Sequence, residues 1–315
     1  MTITQLKYIV AVNNYKSFAR ASEKLFITQP TLSMQIKKLE EELGVLLFDR
    51  TRMPVIPTEI GQKIIDQAGI VISETKRIHD IIDDESNEIS GKFRLAIIPT
   101  IAPYLLPKFV KAFIENNKDL ELTIDELQTD QIINKIKKDE IDAGIVATPL
   151  SNKEIIEMPI YYEPFYAYVS RKHNLFEKKK ISNKDLDIND IWLLKEGHCF
   201  RDQVVNLCSQ KEKSTFSKKR ILNFEGATLE TLVKMVENNF GMTLIPGLMA
   251  REIMSSEKTK LIREFKNPIP KREISIVFRR SFLKKKIILK LQIEIIEHLP
   301  KELKNKRYGY VVDLY

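Results

Sequence analysis

Cysteine is scarce in this chain: 315 residues hold two, Cys199 and Cys208, and four histidines. No apolar run approaches the ~18 residues needed to cross a bilayer. Met1 to Gln5 has neither the basic nor the apolar segment of an export signal. A cytoplasmic protein with no membrane partner is expected. In that compartment a disulfide is more often a transient chemical event than a staple. There is no glycine-rich phosphate loop, no nucleophile elbow and no paired metal-ligand motif. Neither a cofactor nor a metal is therefore expected. A zinc site from His198, Cys199 and Cys208 has too few ligands and lacks a closely spaced cysteine pair. His79, His173 and His298 are isolated and read as surface or capping residues. No internal repeat or low-complexity tract is present.

What is there fits a soluble globular protein of two or three domains, with 43% apolar and 30% charged residues. The net charge of +8 is compatible with a polyanionic partner, but a lysine-rich composition gives the same surplus. The first sixty residues read as short helices with tight joins. Ser17 to Leu25 is one helix, broken at Phe26-Ile27. Thr28 caps the next, with Pro30 in its first turn and Gly44 at its end. Leu32, Ile36, Leu39 and Leu43 form its buried stripe. Its other face carries Gln29, Pro30, Thr31, Ser33, Met34, Lys37 and Lys38, short and polar first and basic further along. That order suits a major groove, with small side chains near base edges and lysines near phosphates. Phe48 to Pro57, with Arg50 and Arg52, reads as a wing beside the duplex.

Thr58 can cap a long helix. Ile60, Ile64, Ala68 (or Gln67), Val71, Thr75, Ile78 and Ile82 recur in steps of three and four, which reads as a coiled-coil seam and hence a dimer. The alternative is a helix packed on its own domain. The acidic run 83–88 leads to a hinge near Gly91. From Phe93 strands and helices alternate, which predicts a parallel α/β sheet. The strands fall at 93–98, 121–127, 143–147, 166–170, 191–194, 242–245 and 274–279. Two such lobes, with the chain crossing near 164 and 268, would leave a cleft at the carboxyl ends of strands. Thr100 and Thr129 follow strands at that cleft. Each could hold a small polar molecule or merely cap a turn or helix.

The two cysteines are nine residues apart, roughly 13 Å if helical and about 30 Å if extended, whereas a disulfide needs Cα atoms within about 7 Å. They can bond only if the segment between them bends or unravels. His198 and Arg201 flank Cys199 closely enough to favour a thiolate, as would a helix starting at Phe200. A sulfenic acid formed there by peroxide could condense with Cys208. Two inert core cysteines remain equally compatible with the spacing.

Residues 17–52, through Ser17-Phe18-Ala19-Arg20-Ala21-Ser22, Thr28-Gln29-Pro30-Thr31-Leu32-Ser33, Ile36-Lys37-Lys38-Leu39-Glu40 and Leu43-Gly44-Val45-Leu46-Leu47-Phe48-Asp49-Arg50, resemble the winged helix-turn-helix of LysR-type transcriptional regulators. Pro99-Thr100, Gln128-Thr129 and the run Gly197-His198-Cys199-Phe200-Arg201-Asp202-Gln203 with Cys208 resemble the hydrogen peroxide sensors within that family. The resemblance implies an all-α winged head and a two-lobed, periplasmic-binding-protein-like α/β effector domain. Residues 1–58 would be the head, 59–90 the linker helix and hinge, 91–301 the regulatory domain and 302–315 a tail. Lobe I would be 91–163 with 268–301, and lobe II 164–267. The tail from Lys301 to Tyr315 has no counterpart in the resemblance, and the run Lys284-Lys285-Lys286 is more basic than it implies.

It further implies that Cys199 is the peroxidatic and Cys208 the resolving cysteine. Thr100, Thr129 and His198 would hold peroxide and order the site, with Arg201, Asp202 and Arg272 around it. The expected protein is an activator rather than an enzyme, since a DNA-binding head argues against a turning-over thiol peroxidase. Its partners would be promoter DNA, further copies in a homodimer or homotetramer, and RNA polymerase, with peroxide as signal. The alternative is a regulator of the same family that binds a small carboxylate in the cleft, with bystander cysteines.

Overall fold

The computed structural model describes residues 1–85, 89–208, 224–304 and 309–314, and only the backbone at 73, 76, 77 and 79–85 of the linker helix. His79, Ile82 and the acidic run 83–88 thus lie outside the described residues or side chains. The chain divides into two compact units, Met1–Ser86 and Asn87–Tyr315.

In the first unit α1 (Ile3–Tyr15), α2 (Phe18–Leu25) and α3 (Gln29–Leu43) start where side chains can accept their free N–H groups. Thr2, Ser17 and Thr28 are the N-caps, accepting from Gln5, Arg20 and Thr31 respectively. Gly44 ends α3 in a left-handed conformation, φ 69°. Leu6, Ile9 and Val12 meet Ala21, Leu32, Ile36 and Leu39 in one core. A two-stranded wing, β1 (Phe48–Asp49) against β2 (Ile56–Pro57), follows, and then α4 (Glu59–Glu85). At Gly61 a Cβ would collide with the Leu47 carbonyl, so the start of α4 can approach the wing only without a side chain there.

The seam expected on α4 divides between two faces. Ala68, with Ile65, is buried in the head's own core, and Ile64 packs against it. Ile60, Val71 and Ile78 stay 45%, 37% and 62% exposed. The apolar stripe is wide enough to serve both the head and an outer face, which the spacing alone did not separate.

The second unit is built on one continuous sheet. β3 (Gly91–Ile97), β4 (Leu120–Glu126) and β5 (Ala143–Thr148) are parallel, joined by α5 (Ala102–Glu115) and α6 (Thr129–Lys137). β6 (Ile155–Val169) then runs from one lobe to the other. Its first part, Ile155–Pro164, pairs antiparallel with β10 (Pro270–Arg279); Phe165–Val169 pairs with β8 (Met242–Pro246), and Tyr166–Tyr168 with β9 (Ile262–Phe265). Around these lie β7 (Lys180–Ile181), α7 (Cys199–Leu207), α8 (Leu229–Glu237), α9 (Gly247–Met254), α10 (Lys285–Glu297) and β11 (Tyr310–Val311).

Two expectations are corrected. The sheet is mixed rather than parallel, because β10 runs against both β5 and β6. Residues 191–194 make only isolated bridges, Ile191 to Met242 and Leu194 to Gly226, and form no strand. Their apolar run is buried by the neighbouring chain without continuous pairing.

Candidate functional site

Three helices start beside one another at the carboxyl ends of β3 and β4. Thr100 lies in the turn before α5, Thr129 opens α6 and Cys199 opens α7. Each helix start offers N–H groups without helical partners and the positive end of a dipole, so together they favour an anion or a developing negative charge. Ile98, Pro99, Thr100, Gln128, Thr129, Gly197, His198 and Cys199 line a narrow, partly open crevice. Gly197 (φ 91°) is required here: a Cβ on it would come within 2.5 Å of Gln128 Oε1.

Cys199 is free and buried. Burial raises its thiol above the ordinary pKa. The Thr129 hydroxyl and the Arg272 guanidinium pull it back, Asp202 adds to the rise, and the Ala147 N–H lowers it. The Thr129 hydroxyl is itself buried and, apart from the Cys199 sulfur it faces, has no hydrogen-bond partner among the described residues, so it is spare for a molecule bound at the thiol.

Arg272 supplies the charge. It is 1% exposed and pairs with Glu163, itself fully buried, at 2.6 Å. It donates to Thr100 Oγ1 at 3.0 Å and to the Thr100 carbonyl at 3.1 Å. Its guanidinium lies over the Phe200 ring, 5.1 Å from the centroid, and Phe200 stacks on Phe165. Glu163 also accepts from Leu248 N–H at 3.0 Å. Removing one member of such a buried pair costs about 3–5 kcal/mol.

The other expected residues separate. His198 occupies the N-cap position of α7 without a side-chain capping bond, and burial and then Lys195 lower its pKa, so it brings no positive charge to the thiol. Arg201 turns away, donating to the Leu194 carbonyl at 2.8 Å and to Glu225 at 2.7 Å. The cation acting on Cys199 is Arg272 instead. Burial raises the pKa of Asp202. Cys208 ends α7, its thiol donating to the Val204 carbonyl at 3.3 Å. Its pKa is pushed up to about 12 by burial and then by Asp187. With α7 formed between them, the cysteines stand roughly 13 Å apart by helical rise and cannot bond. Sequence reasoning missed Glu163; the available signal was a carboxylate inside an apolar strand. His173 caps a turn by accepting from Leu175 N–H, and His298 bonds to Glu294 at the end of α10.

On the head, Gln29, Pro30, Met34, Lys37 and Lys38 are exposed on α3, with Thr31 and Ser33 half-buried. Arg50 is engaged: it pairs with buried Glu40 at 2.8 Å, reaches Ser33 Oγ at 3.4 Å and lies over Phe18. Arg52 is exposed and pairs with Asp49 at 3.2 Å.

Residues 3–62 match the lysR-family bacterial regulatory helix-turn-helix and residues 86–288 the LysR substrate binding domain. The chain belongs to the LysR family of transcriptional regulators. It shares the family's DNA-binding head, and within the family it is OxyR-like. It is 35% identical over 279 residues to the hydrogen peroxide-inducible genes activator of Haemophilus influenzae, covering 89% of this chain and 91% of that one. A full-length cysteine-to-aspartate variant of OxyR from Pseudomonas aeruginosa superposes with a TM-score of 0.75 at 32% identity, covering 94% and 98% of the two chains. A peroxide-bound cysteine variant of OxyR from Corynebacterium glutamicum gives 0.61 at 27% identity, covering 94% and 92%. No helix among the described residues of this LysR-family chain is long and apolar enough to cross a membrane.

Proposed function

We propose that this chain is a hydrogen peroxide-sensing regulator of transcription, switched by a reversible disulfide between Cys199 and Cys208. The observation that carries the reading is the placement of a buried thiol at a helix start, beside the spare Thr129 hydroxyl and the Arg272-held Thr100. The Cys199 thiolate attacks one peroxide oxygen; the O–O bond breaks, and the leaving hydroxide takes a proton to become water. The resulting Cys199 sulfenic acid is attacked by the Cys208 thiolate. The S–S bond forms, the sulfenic oxygen leaves as hydroxide and is protonated to a second water, so one peroxide has oxidised two thiols. Thr100 and Thr129 orient the peroxide, His198 closes the pocket as a neutral group, and Arg272 favours the thiolate. Arg201 and Asp202 act at its border.

Residues 1–58 serve as the DNA-reading head, 59–90 as linker and hinge, 91–301 as the redox domain and 302–315 as its tail. Within the redox domain, lobe I is 91–163 with 268–301 and lobe II is 164–267. Gln29, Pro30, Thr31, Ser33, Met34, Lys37 and Lys38 face the major groove, with Arg50 and Arg52 at the wing. The protein works in the cytoplasm as a homodimer or homotetramer, and its oxidised form re-spaces the heads on promoter DNA to engage RNA polymerase. Each switching event reduces one peroxide per chain and waits for reduction of the disulfide, rather than turning over as an enzyme. Substituting Cys199→Ser tests this: a promoter response to peroxide should be lost, and an unchanged response contradicts the reading.

A further inference from the structure

The residues that follow α10 do not trail away. β11 lies parallel on β10, with Tyr310 opposite Pro270 and Val311 opposite Lys271. Tyr310 N–H donates to the Ile269 carbonyl at 3.1 Å and Val312 N–H to the Lys271 carbonyl at 2.8 Å. Val312 and Leu314 are buried. Asn183 Nδ2 ties down the Tyr310 hydroxyl at 2.6 Å. This strand lies beyond residue 288, where the match to the LysR substrate binding domain stops.

The same strand holds α7. Gln203 Nε2 donates to the Val312 carbonyl at 3.2 Å, and Asn206 Nδ2 donates to the Asp313 carbonyl at 3.1 Å. Gln203 and Asn206 are three residues apart, so helical spacing puts both on one face of α7, about one and two turns beyond Cys199. Gln203 is fully buried. Two fixed carbonyls can be met by both amides only while α7 keeps its helical pitch.

We propose that residues 310–314 form a strap that holds α7 helical and so sets how fast Cys208 reaches Cys199, with Gln203 and Asn206 as its positioning residues. This rests on the peroxide-sensing reading above. Oxidation of Cys199 to the sulfenic acid needs no movement of α7. Condensation with Cys208 does, because the Cα atoms must close from roughly 13 Å to within about 7 Å. Unwinding α7 takes both amides off the strap. β10 also carries Arg272, one residue beyond Lys271, so the strap is anchored on the strand that holds Thr100.

The test separates the two steps in the full-length protein, in Asn206→Ala and in a chain ended after Lys304. Sulfenic acid formation is followed with a trapping reagent in Cys208→Ser versions of each. Disulfide formation is followed by rapid quenching, alkylation and mass spectrometry under saturating peroxide. Sulfenic acid formation should agree within about twofold, while condensation speeds up about fivefold for Asn206→Ala, the worth of one hydrogen bond, and further for the shortened chain. If the shortened chain does not fold, Asn206→Ala decides. Equal condensation rates, or both steps changed alike, overturn the strap alone. No disulfide in any chain overturns the peroxide reading and the strap with it.

Discussion

Arg272 reaches from β10 to Thr100 and donates to both its hydroxyl and its carbonyl, at 3.0 and 3.1 Å. Because the hydroxyl oxygen accepts from Arg272, its hydrogen is left to serve an acceptor in the pocket. Arg272→Lys keeps a cation for Glu163 but loses the two-armed hold on Thr100. Cys199 oxidation should slow by about tenfold or more, the worth of a charge-assisted hydrogen bond. Arg272→Leu strands Glu163 and should in addition cost about 3–5 kcal/mol of stability. Peroxide kinetics and denaturant unfolding on the two variants check the split.

The pH dependence follows from burial. The Cys199 pKa lies above its ordinary value, so at neutral pH the resting thiol is mostly protonated and the thiolate fraction limits attack. The oxidation rate should climb about tenfold per pH unit from pH 6 to 8. A plateau below pH 8 in a stopped-flow profile contradicts this.

Behind the wing Glu40 is the anchor, while Arg52 is the exposed arm, tied only to Asp49 on the surface. Glu40 accepts from Leu47 N–H at 2.8 Å and Phe48 N–H at 3.4 Å and pairs with Arg50. Glu40→Ala leaves those donors buried and should cost the head about 2 kcal/mol or more, measured by thermal melting. Arg52→Ala should leave the melt unchanged and lower the salt slope of DNA binding by about 1.

Val71 and Ile78 stay exposed on α4 while Ala68 is buried in the head. Val71→Asp with Ile78→Asp should therefore shift the protein toward monomer in sedimentation without unfolding the head. An unchanged assembly places the contact between copies elsewhere.

Local chemistry was readable from the sequence. Ser17, Thr28 and Gly44 mark helix ends because capping depends on neighbours a few residues away. Thr100 and Thr129 stood out as polar residues just after expected strands, and Cys199 as one of two cysteines in the chain. Long-range pairing was not readable. Pro159 and Pro164 interrupt the pattern of β6, so its length and antiparallel partner were hidden. Arg272 and Glu163 are 109 positions apart, and nothing local says they meet. β11 is a two-residue strand in a lysine-rich tail, too short to carry a period. The heptad on α4 was legible only in part: apolar positions at steps of three and four do not say which part of a wide stripe faces the head, where Ala68 lies, and which stays outward with Val71 and Ile78.

All of this turns on one covalent event. Peptide mapping of the purified protein before and after a brief, near-stoichiometric exposure to peroxide should show free Cys199 and Cys208 first, then a single linked peptide pair that dithiothreitol separates. Persistence of two free thiols, or oxidation of Cys199 with Cys208 left unlinked, would contradict a disulfide switch in this chain.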